Sequence, residues 1–270
     1  MTRTSVLATS ALARPRRSRL AICALEAWYE FVKTLRLPAY TIPTLSFPAM
    51  FYVIFGLGLG VSRPVGETDA ATYFVATYGT FGVMGAALFG FGVGVAIERG
   101  QGWLLLKRAT PMPVTAYFFA KVVMTLLFGT AIVLMLSMLG VVAGGVRLSL
   151  GSWLALGSAT VFGAMPSCAL GLAIGYLAGP NSAVPLVNLI YLPVAFASGL
   201  WLPIQFLPTW LQEAAVILPP YHHSQLALAA IGADRGGPIW GHVLVLVGST
   251  GVFLGAAYLA YLRDEGKTYG

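Results

Sequence analysis

The sequence predicts an all-α membrane protein whose helices cross the bilayer six times. Of its 270 residues, 58% are hydrophobic and only 9% are charged, whereas a soluble domain carries about 25% charged residues. The apolar runs reach roughly 20 residues, which is the length a helix needs to span a bilayer. Segments of about ten residues with alternating hydrophobicity, which are typical of transmembrane β-barrels, are absent. This composition excludes an ordinary soluble enzyme, a disordered protein and a coiled coil.

The predicted elements follow one another along the chain. Residues 1–18 are a disordered basic N-terminus, and residues 19–37 form an amphipathic helix that lies in the membrane surface. The apolar face of that helix consists of Leu20, Ala24, Ala27, Trp28, Phe31 and Leu35. Residues 38–262 form a single transmembrane domain, and residues 263–270 form a cytoplasmic tail. The predicted spans are 39–60, 71–97, 115–143, 150–178, 183–202 and 238–262.

The distribution of basic residues predicts the orientation. Three of the sixteen Lys and Arg residues, Arg63, Arg147 and Arg235, fall on one side of the predicted membrane, and the other thirteen fall on the opposite side. Because basic residues concentrate in cytoplasmic segments, both termini and the joint 98–114 are expected in the cytoplasm of a multi-pass protein of the cytoplasmic (inner) membrane. The net charge of +7 is thereby explained by topology, and no nucleic-acid partner is expected.

The spans carry no candidate ion relay or catalytic group. No Asp, Glu, Lys or Arg lies at the middle of a predicted span, although ion-coupled carriers need an ionisable or ion-coordinating site there. Gly266-Lys267-Thr268 is not a nucleotide-binding loop, because Tyr261 stands where such a loop needs its first glycine. The energy for any transport must therefore come from elsewhere, unless the protein is a passive pore.

No metal or disulfide site is predicted either. The adjacent histidines His222 and His223 lack further ligands at a suitable spacing. Cys23 and Cys168 lie far apart and form neither a metal motif nor a disulfide framework. We therefore expect no catalytic residue, no metal and no cofactor on this chain.

The joint between spans two and three has a distinctive pattern. Gly100 and Gly102 allow a sharp turn after Glu98-Arg99, and a short amphipathic helix from Trp103 to Arg108 follows. The prolines at 111 and 113 end this helix. A short helix at the membrane surface between two spans is a natural docking element for a soluble partner.

In this joint the sequence resembles the ABC-2 type transporter permeases, also called type V ABC exporters. The family pattern is matched by Glu98-Arg99, Gly102, Leu105-Leu106, Thr110-Pro111 and Lys121, whereas Gly100 replaces the usual acidic residue. The region before span six is similar to the family's pair of short re-entrant helices near the outer face. Its matching residues are Ser198-Gly199, Pro203, Leu207-Pro208, Trp210-Leu211 and Pro219-Pro220-Tyr221.

The resemblance implies the membrane subunit of an ATP-driven exporter. ATP and Mg²⁺ would bind a separate ATPase subunit, and a second permease subunit would complete a dimer, expected to be a homodimer in membrane lipid. The residues implied to couple to the ATPase are Glu98, Arg99, Gly102, Leu105, Leu106, Thr110 and Pro111. The candidates for lining the substrate path are Phe51, Phe55, Tyr73, Phe81 and Phe89.

Three functions remain open at this point. The first is multidrug efflux, in which the subunit exports an amphipathic or lipophilic molecule such as a drug or antibiotic. The second is export of a lipid-linked glycan or lipid. The third is a membrane scaffold or enzyme without transport, which would not co-purify with an ATPase.

Overall fold

A computed structural model describes residues 18–58, 64–65, 68–110 and 112–265. The predicted segment 1–17 and Pro111 lie outside these residues. The helices are α1 (Arg19–Leu35), α2 (Pro38–Phe51), α3 (Ala70–Ala87), α4 (Gly94–Gly100), α5 (Trp103–Arg108), α6 (Val114–Val142), α7 (Leu150–Phe162), α8 (Met165–Leu177), α9 (Pro180–Ala197), α10 (Thr209–Ala215), α11 (Pro219–Ala229) and α12 (Ile239–Glu265). In the described part of the chain, the strands β1 (Pro64–Val65) and β2 (Thr68–Asp69) form one short antiparallel pair.

Among the described residues, six helical segments are long and apolar enough to cross a membrane, which confirms the predicted fold class. They are span one (Pro38–Leu57), span two (Ala70–Gly100), span three (Thr115–Val142), span four (Leu150–Leu177), span five (Pro180–Ala197) and span six (Ile239–Arg263). The predicted boundaries agree closely except in span five, which was expected to reach residue 202. That helix ends at Ala197, and the chain turns at Gly199, whose φ of 75° suits glycine.

Three spans depart from regular α-helix. Span one continues from α2 as a π-helical segment at Tyr52–Leu57, and span two contains another at Leu88–Val93. Span four is divided between α7 and α8, with a break after Phe162 and Pro166 in the first turn of α8. A proline in the first turn of a helix loses no hydrogen bond, because the first amide groups have no partner within the helix.

Span two lies at the centre of the bundle. Every residue of α3 is buried. Spans one, three, four and five pack on span two, whereas span six packs on α8 and α11. Span four approaches it closely through Gly171, where an added Cβ would lie 3.0 Å from the Phe91 Cβ and 3.2 Å from the Gly92 nitrogen. Small residues thus allow the two backbones to touch, as is common in membrane bundles. Spans one and six, by contrast, expose most of their surface.

Candidate functional site

Charged side chains from three elements converge at the end of the bundle where α5 lies. The Lys121 Nζ of α6 is 2.6 Å from Glu30 Oε1 of α1 and 2.9 Å from Glu98 Oε1 of α4. Lys33 on α1 pairs with the same two carboxylates and lies 2.6 Å from Glu30 Oε2. The hydroxyl of Tyr117 donates to Glu98 Oε2 at 2.6 Å. We call these five residues the charge cluster; in it every charge faces opposite charges.

The charge cluster is mostly shielded from solvent. The side chains of Lys121 and Glu30 are 2% and 4% exposed, and that of Glu98 is 12% exposed, whereas Lys33 is 54% exposed. Buried charges are tolerated only when they are paired and hydrogen-bonded. The two carboxylates and Lys121 therefore depend on one another, and Lys33 closes the cluster at its solvent side.

Lys33 remains charged at ordinary pH. Burial alone would lower the pKa of Lys33, but the carboxylates of Glu98 and Glu30 outweigh that effect and raise the pKa above its ordinary value. The ammonium group therefore does not titrate in the physiological range. At its solvent side the cluster is a permanent ionic contact rather than a pH switch.

The short helix α5 is tied to this cluster. Lys107 on α5 forms an ion pair with Glu26 on α1, and its Nζ lies 4.7 Å from the centre of the Tyr117 ring, which is within cation–π range. Tyr117 in turn donates to Glu98. These contacts connect α5 to α1, to the end of span two and to the beginning of span three.

Arg99 connects the same region to span four. Its guanidinium donates to the carbonyl oxygens of Tyr176 and Ala178, the latter at 2.8 Å from Nη2. These carbonyls belong to the end of α8, where the last backbone acceptors lack partners within the helix and the helix dipole favours a cation. Arg99 therefore caps span four, so Glu98 and Arg99 both contact neighbouring elements at this end of the bundle.

The surface of α5 is partly apolar and unpartnered. Trp103 and Leu106, three positions apart on one helix face, are 52% and 63% exposed. Gly102, with a φ of 75°, makes the turn before α5, and the Thr110 hydroxyl donates to the Lys107 carbonyl at 2.6 Å after its last turn. The structure does not describe the side chain of Leu105, so its predicted part in ATPase coupling stays a prediction.

Most of the predicted path residues meet in an aromatic cluster near the centre of the bundle. The Phe51 ring centre lies 6.1 Å from that of Phe55, 5.7 Å from that of Phe81 and 5.5 Å from that of Trp201. Phe89 joins through Tyr191, whose ring stacks on Phe81. Tyr73 joins less directly, because it packs on Phe74, which stacks on Tyr78 beside Phe51. Trp201 was not among the predicted residues, because a single tryptophan after a span carries no specific signal.

The predicted outer region forms two short helices, α10 and α11. Leu207 and Tyr221 share a small core with Ile204 and Ala215, while Trp210 is 68% exposed. The matched prolines stand where helices begin: Pro203 before the 3₁₀ turn Ile204–Phe206, Pro208 before α10, and Pro219 and Pro220 in the first turn of α11.

The three histidines also lie at this end. The Nδ1 atoms of His222 and His242 are 2.8 Å apart, and His222 Nε2 lies 2.8 Å from the Val216 carbonyl oxygen. His223 donates from Nε2 to the Thr160 carbonyl at 2.8 Å. Within the described ranges, no group of three or more His, Cys, Asp or Glu side chains is placed to hold a metal ion.

Two comparisons with known proteins agree with this architecture. The sequence profile of the ABC-2 type transporter family matches residues 23–231. A protein of Bacillus subtilis (strain 168), described as "Putative transport permease YvfS", is 28% identical over 226 residues, which is 83% of this chain and 91% of that protein. The family profile covers the charge cluster, α5, α10 and α11. The chain therefore belongs to the ABC-2 type transporter family and is a multi-pass membrane subunit of a transporter, not itself an enzyme.

Proposed function

We propose that this chain is the permease subunit of an ATP-binding cassette exporter. A separate ATPase subunit binds ATP and Mg²⁺ and docks on α5, and two copies of the permease pair as a homodimer. The observation that carries the proposal is the charge cluster, since it joins α5 to spans two and three through the contacts of Lys107, Tyr117 and Glu98.

The exposed face of α5 fits a docking role. Trp103 and Leu106 present apolar surface next to the fixed charge of Lys107. Aromatic and apolar anchors of this kind supply much of the binding energy at protein interfaces. Movement of a docked ATPase would press on α5, and the ion pair with Glu26 and the arginine cap on α8 would pass that movement to the spans.

The placement of charge supports ATP as the energy source. The described ionisable side chains of spans two and three, Glu98, Arg99 and Lys121, all lie at one end of the bundle and are occupied by partners there. An ion-coupled carrier needs such groups near the middle of the membrane. The orientation that fits is the one in which α5 and both termini face the cytoplasm.

The interior suits an amphipathic or lipophilic cargo, such as a drug or antibiotic, taken from the cytoplasm or inner leaflet. The aromatic cluster around Phe51, Phe81 and Trp201 offers ring surfaces and little polar contact. Export of a lipid-linked glycan or lipid is the alternative, and the cavity described below favours it.

A charge exchange between α1 and α5 tests the coupling. The Glu26 and Lys107 side chains are 19% and 27% exposed, so their pair is partly shielded. Glu26→Lys or Lys107→Glu alone places like charges together, and we expect substrate-stimulated ATPase activity and export to fall together. The double variant restores the opposite charges and should recover both activities.

The control reverses the charge of a residue outside this contact. Arg263→Glu, near the end of α12, should leave both activities unchanged, since Arg263 is exposed. Full activity of both single variants would contradict the assignment of α5 as the coupling helix. Equal loss in the double variant would show that the residues act separately, not as a pair.

A further inference from the structure

A cavity of about 460 Å³ with a mixed polar and apolar lining lies at the end of the bundle opposite α5. It is open on one side and bordered by β1, the turn Ile204–Phe206, helix α11 and the segment 232–235 that follows it. Its polar lining consists of Tyr73, Gln205, Gln225, Asp234 and Arg235. Small-molecule sites in proteins have volumes of roughly 300–1,000 Å³, so the cavity is large enough for a small ligand.

Gln225 is the most informative residue of this lining. Its side chain is only 1% exposed, and its Oε1 accepts a hydrogen bond from the Arg235 backbone amide at 2.9 Å. Because the oxygen must face that N–H group, the position of the amide nitrogen is fixed as well. Among the described residues none accepts a hydrogen bond from this nitrogen. Gln225 thus presents an NH₂ donor at the cavity wall, where it can donate to a ligand oxygen.

The charges beside the cavity nearly cancel. Asp234 and Arg235 are neighbours; Asp234 Oδ2 accepts from the Gly236 amide at 3.0 Å, and Arg235 Nη1 donates to Gln212 Oε1 at 3.1 Å. A cavity lined by one acid and one base does not select strongly for either an anion or a cation. The remaining polar groups, the amides and the Tyr73 hydroxyl, are neutral.

An aromatic surface completes the lining. The Phe206 side chain is 68% exposed and borders the cavity beside the buried Leu228. Neutral donors and acceptors next to an exposed ring match a ligand that carries hydroxyl groups and also has an apolar C–H face. A sugar unit has both properties.

We propose that this cavity binds a neutral, hydroxyl-rich ligand of the sugar class. The Gln225 amide donates to a ligand oxygen, Asp234 and Gln205 accept from ligand hydroxyls, and the Phe206 ring covers the C–H face. The site extends the glycan alternative of the proposed function, but its test is separate from that of export, because binding is measured on the permease without an ATPase.

The test is ligand binding to the full chain in lipid nanodiscs, prepared without maltoside detergent because its headgroup is itself a sugar. Saturation-transfer NMR with glucose, galactose, N-acetylglucosamine and maltose should show saturable binding of at least one sugar in the millimolar range. Citrate is the anionic comparison and should bind more weakly. If none of the four sugars binds saturably, or if citrate binds more tightly than all of them, the proposal is overturned.

Two variants locate the site. Gln225→Glu keeps an oxygen for the Arg235 amide but replaces the donor with an acceptor, and it should weaken sugar binding about tenfold. Phe206→Ala, at an exposed position where folding is not at risk, should also weaken it. The matched control is Asn181→Asp, an exposed amide at the opposite end of the bundle, which should bind as the native chain does. Unchanged affinity in both site variants would place the sugar elsewhere and refute the assignment.

Discussion

Replacing Lys121 with methionine should destabilise the protein strongly, because it removes the buried cation that faces both Glu30 and Glu98. Lys121 and Glu30 are 2% and 4% exposed, and the two distances from Nζ are 2.6 and 2.9 Å. Removing one partner of a buried ion pair costs about 3–5 kcal/mol, since the remaining charge is left unpaired. Lys33→Met is the matched control: its side chain is 54% exposed, so the expected loss is at most about 1 kcal/mol.

A second change separates charge from packing. In Lys121→Met, Lys33 alone faces the two carboxylates of Glu30 and Glu98. Adding Glu30→Gln removes one of these carboxylates, and part of the lost stability should return. If the methionine side chain itself caused the loss through poor packing, the double variant would be no more stable than the single one.

The measurement is the free energy of unfolding of the purified chain in mixed micelles, from denaturant titration of the native protein and the three variants. The free energy of unfolding should be largest for the native protein and should decrease in the order Lys33→Met, the double variant, Lys121→Met. Equal losses in Lys121→Met and Lys33→Met would refute the reasoning that burial sets the strength of the charge cluster.

Three further predictions concern other parts of the molecule. Burial lowers the pKa of His223 from 6.5 to about 4, so on acidification the unfolded chain binds the proton before the folded chain does. Up to about 3 kcal/mol of stability is therefore present above pH 6.5 and lost as the pH falls towards 4. His223→Gln should reduce this pH dependence when the free energy of unfolding is measured at pH 7.5 and pH 4.5. Gly171→Ala should cost about 1–3 kcal/mol of unfolding free energy by overpacking, whereas Gly248→Ala, with nothing within 4 Å, should not destabilise. In a cysteine-free background, a membrane-impermeant thiol reagent added to intact cells should label a cysteine at position 235, which is expected outside, and not one at position 103. Labelling at position 103 would contradict the predicted orientation.

The spans could be predicted closely because they depend on a local property. Runs of roughly 20 apolar residues are visible in the sequence without knowledge of neighbours, and Gly145, with a φ of 65°, makes the turn that separates spans three and four. The π-helical segments at Tyr52–Leu57 and Leu88–Val93 were not predicted, because they depend on packing between helices rather than on residue type.

The charge cluster could be predicted only in part. Glu98 was singled out from the family pattern, whereas Glu30 falls outside the apolar face of the predicted membrane-surface helix and was not linked to Glu98. Its carboxylate is buried instead against Lys121, which is 91 positions further along the chain. The available signal was a lysine in the first turns of an otherwise apolar span, which requires a carboxylate from another element; the sequence does not specify which one.

Export by the reconstituted complex tests whether this chain is the permease of an ATP-driven exporter. The permease and its ATPase would be placed in liposomes, and cargo movement would be measured with ATP, with ionophores that collapse proton and sodium gradients, and with two variants. We expect ATP-dependent export that survives the ionophores and is abolished, together with ATPase binding, by Leu106→Asp on α5. Export should persist in Arg263→Glu, at an exposed position near the end of α12. Export without ATP, or normal export and ATPase binding by Leu106→Asp, would contradict it.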